Sequence, residues 1–429
     1  MQKTGTMKAA PRVALETLGC KLNQAETEAL ALRLAQAGLT LVGPEQSADV
    51  YVLNSCTVTH VADRKSRQMV RRARRINPDA LIVVAGCYAE QAQSLPAAIE
   101  GADMVVGNKD KERLAEVVLE RCRPDASSSD TGAYPTMNKA TWRTRAMVKV
   151  QDGCNQACSY CIVPSVRGPE RSLPPEQVVA EIEDRLSNGY KEVTLTGTQI
   201  GSYKWGVEQD LAWLIGQILA RTRVERLRLS SLQPQDVSPA LLRVWRRDPR
   251  LCCHLHLPLQ SGSDAVLGKM RRRYTTSRYE EAVDTLRRAA LGVAITADVI
   301  VGFPGETVSE FEQGLDFCRR MEFAAMHVFP FSPRPGTAAA SMGGRVSEPE
   351  KKERVQRLLD LARSAARSFR DSALGQTRPV LFEERSDGHW TGLTDNYMRV
   401  FVSSELSLHN QVVPVKLVSN SEDGVLGVI

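Results

Sequence analysis

From residue 13 to about residue 330, short apolar runs alternate with longer segments of helical periodicity. That alternation is the strongest constraint on the chain. A strand followed by a helix returns parallel to itself, so the sequence builds parallel α/β sheets rather than hairpins or sandwiches. In the first 120 residues the extended runs fall at 13–18, 50–53, 81–85 and 104–106. Asn23-Gln24-Ala25-Glu26 reads as a capping box that opens a helix stopped by Gly38. Residues 61–75 read as a very basic helix ended by Asn77-Pro78, and 109–119 as a further helix. The expected result is an open parallel α/β sheet.

Residues 122–141 are rich in Ser, Asp, Pro and Gly and read as a linker. Beyond them, extended runs at 146–150, 192–196, 226–229, 254–257, 294–301 and 325–329 alternate with helical segments such as 175–187, 212–222, 277–290 and 308–321. Six βα units predict a parallel (βα)6 barrel, partial rather than closed. A charged helix over 348–370 is expected to lead away from it. The tail changes character: runs at 378–384, 389–393, 398–402, 412–418 and 424–429 predict a small five-stranded OB-like β barrel. The chain therefore reads as an α/β multidomain protein with domains at 1–121, 142–373 and 374–429, joined first by the linker at 122–141.

Composition sets the class of chemistry. Hydrophobic residues at 42% and charged residues at 25% exclude disordered and fibrous classes. No apolar run approaches the roughly 18 residues of a membrane span, and residues 1–10 carry no apolar signal core. The expectation is a cytoplasmic protein with no membrane partner. Ten cysteines in a reducing compartment then point to metal or redox chemistry rather than to disulfides.

Cys154, Cys158 and Cys161 form a C-x3-C-x2-C motif directly after an extended run. Three thiolates hold three corners of a [4Fe–4S] cube and leave the fourth iron open to an exogenous ligand. The position, at the carboxyl end of the first barrel strand, is where barrel active sites lie. A zinc site completed by a distant Cys or His is the alternative. Cys20, Cys56 and Cys87 are spaced by about one βα repeat, and each follows an extended run: Leu18-Gly19-Cys20, Asn54-Ser55-Cys56 and Ala85-Gly86-Cys87. Carboxyl ends of parallel strands share one edge, so these thiols converge and are able to hold a second cluster. By themselves, three such cysteines also suit packing; the first motif favours the cluster.

The stretches LGCKLNQAETE (18–28), NSCTVTHVADRKSRQ (54–68), AGCYAE (85–90), DGCNQACSYCIVPSVRG (152–168), LTGTQIGSY (195–203), HLPLQSGSDAVLGKMRRRYT (256–275), DVIVGFPGET (298–307) and VFPFSPRPGT (328–337) resemble the radical S-adenosylmethionine (SAM) methylthiotransferases over nearly the whole chain. The tail resembles their RNA-binding TRAM barrel. NSCTVT with DRKSRQ is most similar to the branch that acts on threonylcarbamoyladenosine at position 37 of tRNA, giving its 2-methylthio derivative. The branches acting on isopentenyladenosine in tRNA or on a ribosomal-protein aspartate remain alternatives, as does a zinc-stabilised tRNA-binding protein without chemistry.

The resemblance implies two [4Fe–4S] clusters, a radical SAM cluster on Cys154, Cys158 and Cys161 and an auxiliary one on Cys20, Cys56 and Cys87, with Tyr160 and Gly197 bordering SAM. It implies two SAM molecules, one methylating a sulfur carried on the auxiliary cluster, the other giving the deoxyadenosyl radical that starts chemistry at adenine C2. The implied partners are a tRNA anticodon stem-loop and a reductant protein, with the enzyme a monomer.

Other features carry less. The net charge of +6 permits a polyanionic partner without demanding one. The run of Arg64, Lys65, Arg67, Arg71, Arg72, Arg74 and Arg75, and the group Lys269 with Arg271–Arg273, read either as solvated faces or as contacts to tRNA phosphates. The tail holds four Lys/Arg against seven Asp/Glu, so any RNA contact there rests on a local surface such as Arg378, Arg399 and Lys416. His254 and His256 alternate along one strand and are expected to share its interior face; Asp298 lines the site or serves the scaffold. Cys122, Cys252, Cys253 and Cys318 read as packing.

Overall fold

The computed structural model describes residues 10–93, 99–122 and 144–429, which fall into two compact units. The first holds the described residues up to 122 together with Ile162–Gly168; the second holds 144–161 and Pro169–Ile429. The linker read at 122–141 lies outside the described residues except for Cys122, which ends a helix.

In the first unit, β1 (Arg12–Thr17), β2 (Thr40–Val42), β3 (Val50–Ser55), β4 (Leu81–Gly86) and β5 (Met104–Val106) form one parallel sheet in the order β2-β1-β3-β4-β5. Four of these strands are legible as apolar runs. β2 is not, because three residues are too few to carry a period; its pairing with β1 recruits it. Alternate side chains feed two cores. Val13, Val50 and Val52 pack with Leu30, Leu34 and Val118, while Ala14, Tyr51 and Leu53 pack with Val70, Ala73 and Ala89. A sheet covered on both faces needs strands apolar throughout, and every residue of β3 is buried.

Helix α1 (Lys21–Gln36) starts earlier than the sequence suggests, with Cys20 at its N-cap. The capping box expected at Asn23–Glu26 does not form. Asn23 lies inside the first turn, where its amide donates to Leu18 O (2.8 Å) and Ser55 O (2.9 Å). Helix α2 (His60–Ile76) is capped by Thr59, which accepts from Ala62 N.

The second unit opens with β6 (Arg145–Lys149), β7 (Glu192–Thr196) and β8 (Arg226–Leu229), paired parallel. A second parallel sheet follows: β9 (His254–His256), β10 (Ala294–Val301) and β11 (Ala325–Pro330). Single parallel bridges, Leu227 to Leu251 and Ser231 to His256, join the two into a six-stranded partial barrel. The helix Glu348–Asp371 does not lead away as expected. It packs on the barrel: Arg354 donates to Glu306 (2.7 Å) and Arg357 grips Glu312 through two bonds of 2.6 and 2.8 Å. The sequence does not show this docking because the partners lie about 45 residues away.

The tail closes into a barrel of β12 (Thr377–Ser386), β13 (His389–Thr394), β14 (Arg399–Ser403), β15 (Val412–Asn420) and β16 (Val425–Val428), ordered β12-β13-β14-β16-β15. β14 and β16 pair parallel and the other neighbours antiparallel, the OB-like arrangement. A bulge between Phe382 and Glu384 leaves Glu383 free to reach Arg145 at 2.6 Å.

The two barrels are tied by buried charge. Glu192 is fully buried and takes Arg226 at 2.8 Å and Arg228 at 2.6 Å. The same guanidinium groups donate onward to the carbonyls of Leu393, Thr394 and Asp395. Burial alone raises the Glu192 pKa, but Arg228 and then Arg226 outweigh burial and hold it down to about 2 from 4.5. The depressed value means that this contribution to stability is full above pH 4.5 and is lost as pH falls toward 2. Glu192→Gln is therefore expected to cost about 3–5 kcal/mol at neutral pH, because it strands two buried cations. Urea denaturation across pH checks this: the wild type should lose stability between pH 4.5 and 2, and the variant should show a flatter profile there.

Candidate functional site

Each unit gathers three cysteines at strand carboxyl ends. In the first, Cys20, Cys56 and Cys87 follow β1, β3 and β4, and β3 lies between the other two. Local chemistry pulls these ends together. Leu18 N donates to Asn54 O, Asn23 donates to Ser55 O, Asn54 Nδ2 donates to Asn23 O, and Ser55 Oγ donates to Ala85 O at 2.5 Å. Two glycines make the approach possible. Gly19 has φ +110°, and a Cβ there would sit 2.7 Å from Cys56 Cβ. Gly86 has φ +96°, and a Cβ would sit 2.5 Å from Ser55 O. L side chains avoid both that conformation and those contacts.

The thiols sit in a defined electrostatic setting. Cys56 and Cys87 are buried and Cys20 is exposed. Burial pushes the Cys56 thiol up to about 12, and the Arg167 guanidinium pulls down on Cys56 and Cys20 without cancelling the rise of either. Arg167 is nearly inaccessible and bonds Asn23 Oδ1 at 2.5 Å and Glu26 at 3.1 Å. Lys111 holds the second oxygen of the same Glu26. Asn108 completes the rim, with its amide 3.7 Å from Cys87 Sγ and 2.6 Å from Val166 O.

In the second unit, Cys154, Cys158 and Cys161 lie on the loop after β6. Gln156 braces it: its side-chain amide donates to Gln199 Oε1 (2.9 Å), its backbone N–H donates to Cys154 Sγ (3.4 Å), and its side-chain Oε1 accepts from Cys158 Sγ at 3.7 Å. Ser159 N donates to Met270 O and Ala339 N to Ser159 O, fixing the loop to the far side of the barrel. Tyr160 packs edge-on to Phe303 in an apolar cluster with Val266, Met270 and Ala339. Gly197 lies against Gln151, whose carbonyl oxygen would be 2.7 Å from an added Cβ. Desolvation raises the Cys154 thiol.

Arg272 is the residue the sequence reading misplaced. It belongs to a run of three arginines read either as a solvated face or as contacts to tRNA phosphates, but its Nη1 donates to Cys158 Sγ at 3.3 Å and its guanidinium lies over the Tyr274 ring at 4.8 Å. Lys269 in the same group is bonded to Gly305 O and Glu310, which leaves Arg271 and Arg273 as the exposed members. On α2, Arg72 and Arg74 bond Glu16 and Asp103, while Arg64, Lys65, Arg67, Arg71 and Arg75 are exposed. Arg378 is paired with Asp395; Arg399 and Lys416 are exposed. Sequence carried no signal for Arg167, although it stands in the quoted CIVPSVRG stretch.

The spacing of the thiols bears on what they hold. Four ligands around one zinc ion at about 2.3 Å stand about 3.8 Å apart. Among the described residues, the group of three candidate ligands gathered within 4.8 Å is His256, Asp298 and His327, and neither cysteine trio is gathered so tightly. Corner thiolates on a four-iron cube are spread by the cube itself. The remaining cysteines are scaffold: Cys252 and Cys318 are buried, Cys122 packs on the first sheet, and Cys253 lies against Leu291 O.

Comparisons with known proteins agree with this division. The uncharacterized protein family UPF0004 matches residues 12–107, and the radical SAM superfamily matches residues 148–318. The threonylcarbamoyladenosine tRNA methylthiotransferase MtaB of Bacillus subtilis is 39% identical, covering 94% of this chain and 93% of that one. MtaB of Thermotoga maritima is 36% identical, covering 96% of each. The tRNA-2-methylthio-N(6)-dimethylallyladenosine synthase of Moorella thermoacetica is 33% identical over 96% of each. Among solved structures, the radical S-adenosylmethionine methyltransferase TsrM from Kitasatospora setae aligns with a TM-score of 0.55 at 16% identity over 77% of each chain, a likeness of fold.

Gly86→Ala tests the convergence of the first trio. The strained φ and the contact with Ser55 O are expected to cost about 1–3 kcal/mol, read by urea denaturation, and Ala89→Gly on the adjoining helix should not reproduce the local shift in Cys56 alkylation rate.

Proposed function

This chain belongs to the radical SAM methylthiotransferases, and on that premise we propose that it converts threonylcarbamoyladenosine at position 37 of tRNA to the 2-methylthio derivative. It is an enzyme, a transferase that makes a C–S bond at a C–H position. The observation that carries the reading is that each cysteine trio sits at strand carboxyl ends with one guanidinium beside it, Arg167 in the first unit and Arg272 in the second.

In this reading Cys154, Cys158 and Cys161 hold the [4Fe–4S] cluster that binds SAM, and Cys20, Cys56 and Cys87 hold an auxiliary one. The donor sets fit: three thiols each, with no fourth cysteine in either motif, leave one iron open. Loaded with SAM, the first cluster supplies one-electron chemistry able to open an aromatic C–H bond that polar substitution leaves untouched. The protein's own groups hold the ligands in place. Arg272 and Arg167 place positive charge beside the cysteines, and the iron of a bound cluster would hold the thiolate form. Gln156, Gln199 and the Ser159 backbone fix the loop, and Tyr160 anchors it in apolar packing near the place assigned to SAM with Gly197.

The threonylcarbamoyl branch is favoured over the dimethylallyl branch because relatives at 39% and 36% identity carry the first name, against 32–34% for the second. The tRNA anticodon stem-loop meets exposed cations such as Arg64, Lys65 and Arg75 and a TRAM role of the tail barrel. A reductant protein supplies electrons, and the enzyme acts as a cytoplasmic monomer. Among the described residues no helix is long and apolar enough to cross a membrane.

Mass spectrometry of tRNA nucleosides from cells lacking the gene is expected to show loss of 2-methylthio-threonylcarbamoyladenosine; loss of the dimethylallyl product instead moves the protein to the other branch. In anaerobically purified protein, Cys56→Ala and Cys158→Ala are each expected to remove about four irons per chain and abolish product. Arg272→Met should leave that iron count intact and move the cluster's reduction potential to more negative values in an EPR-monitored titration, because a cation beside a cluster stabilises its reduced, more negative state.

A further inference from the structure

The second unit carries a set of donor groups that neither cysteine trio uses. His256 ends β9, Asp298 lies within β10 and His327 within β11, and parallel pairing sets Asp298 opposite His327. His256 Nε2 stands 3.1 Å from Asp298 Oδ2, and His327 Nδ1 stands 3.1 Å from Asp298 Oδ1. One donor atom from each residue lies within 4.8 Å of the other two. Side-chain exposure climbs from 12% at His256 through 26% at Asp298 to 62% at His327, so the group is walled on one side and open on the other.

The wall is ordered. Thr296 Oγ1 lies 2.9 Å from His256 Nδ1 and 3.2 Å from His254 Nε2, and the buried His254 stacks on Tyr397 at 4.6 Å. With its proton on Nδ1, His256 donates to Thr296, Thr296 donates on to His254 Nε2, and the lone pair of His256 Nε2 is left facing Asp298. A hydrogen bond behind an imidazole that fixes its tautomer is the support that metal-bound histidines carry.

We propose that His256, Asp298 and His327 form a binding site for one divalent first-row cation of the zinc type, with its outer coordination positions open. Two imidazoles and a carboxylate are a preferred donor set for such ions, and three protein ligands with a vacancy are the pattern of reactive rather than structural sites. The observed 3.1 Å separations approach the edge of about 3.3 Å that a tetrahedron with legs of about 2.0 Å requires. Binding displaces no proton from the protein. His256 moves its proton from Nε2 to Nδ1 as the Thr296 hydroxyl reorients, and His327 moves its own from Nδ1 to Nε2. The cation changes the local charge from that of a lone carboxylate to a net positive one, so the open positions favour an anionic oxygen ligand, a carboxylate above all.

The test uses the full-length, cluster-loaded protein, equilibrated anaerobically with Zn2+ and dialysed. Elemental analysis should find about one zinc per chain beyond the iron, and zinc K-edge absorption should show nitrogen and oxygen neighbours only. Asp298→Asn and His327→Ala should each lower zinc retention tenfold or more with iron content unchanged; His327 is exposed enough that its loss leaves folding intact, checked by circular dichroism. Wild-type protein without retained zinc, zinc with sulfur neighbours, or equal retention in H327A would each overturn the site.

Discussion

Parallel pairing is the constraint on which the molecule's chemistry depends. It sends every strand of a sheet in one direction, so residues far apart in sequence end on one edge. Cys20, Cys56 and Cys87 meet for that reason, and the pairing of β1 and β4 to β3 sets their lateral order. The same rule places His256, Asp298 and His327 side by side in the other unit. What pairing leaves undone is the last few ångströms. These come from Asn23, Asn54 and Ser55, which spend their hydrogen bonds on neighbouring strand ends, and from glycines that let the backbone close in.

Charge is handled differently at the two kinds of buried site. Glu192 is enclosed between Arg226 and Arg228, and the cluster is satisfied by backbone carbonyls of the tail barrel. It behaves as scaffold, with each donor matched. Each cysteine trio instead has a guanidinium group beside its thiols. Glu26 takes both Arg167 and Lys111 beside the first trio, and Arg272 points directly at a thiol of the second.

Where the sequence misled, the cause was composition hiding geometry. Three consecutive arginines after Met270 look like a solvated patch, yet the αL conformation of Arg271 turns Arg272 inward onto Cys158. The charged helix at Glu348–Asp371 looks like a departure from the barrel, yet its arginines find Glu306 and Glu312 on the barrel's own helical side. Asn23 looks like a cap, yet it is a stitch between strand ends. In each case the partner is distant in sequence, and periodicity has no access to it.

The sequence by itself determined the element order, the six cysteines and the kind of chemistry, because strand and helix periods and the C-x3-C-x2-C spacing are local properties. It also announced His254 and His256 as sharing a face, since alternation along a strand is local too. Only the tertiary structure decided which charges accompany the thiols, that Asp298 stands between two imidazoles, and that His327 belongs with them. Those facts depend on register between strands, and register is fixed by the packing of whole sheets rather than by any one segment.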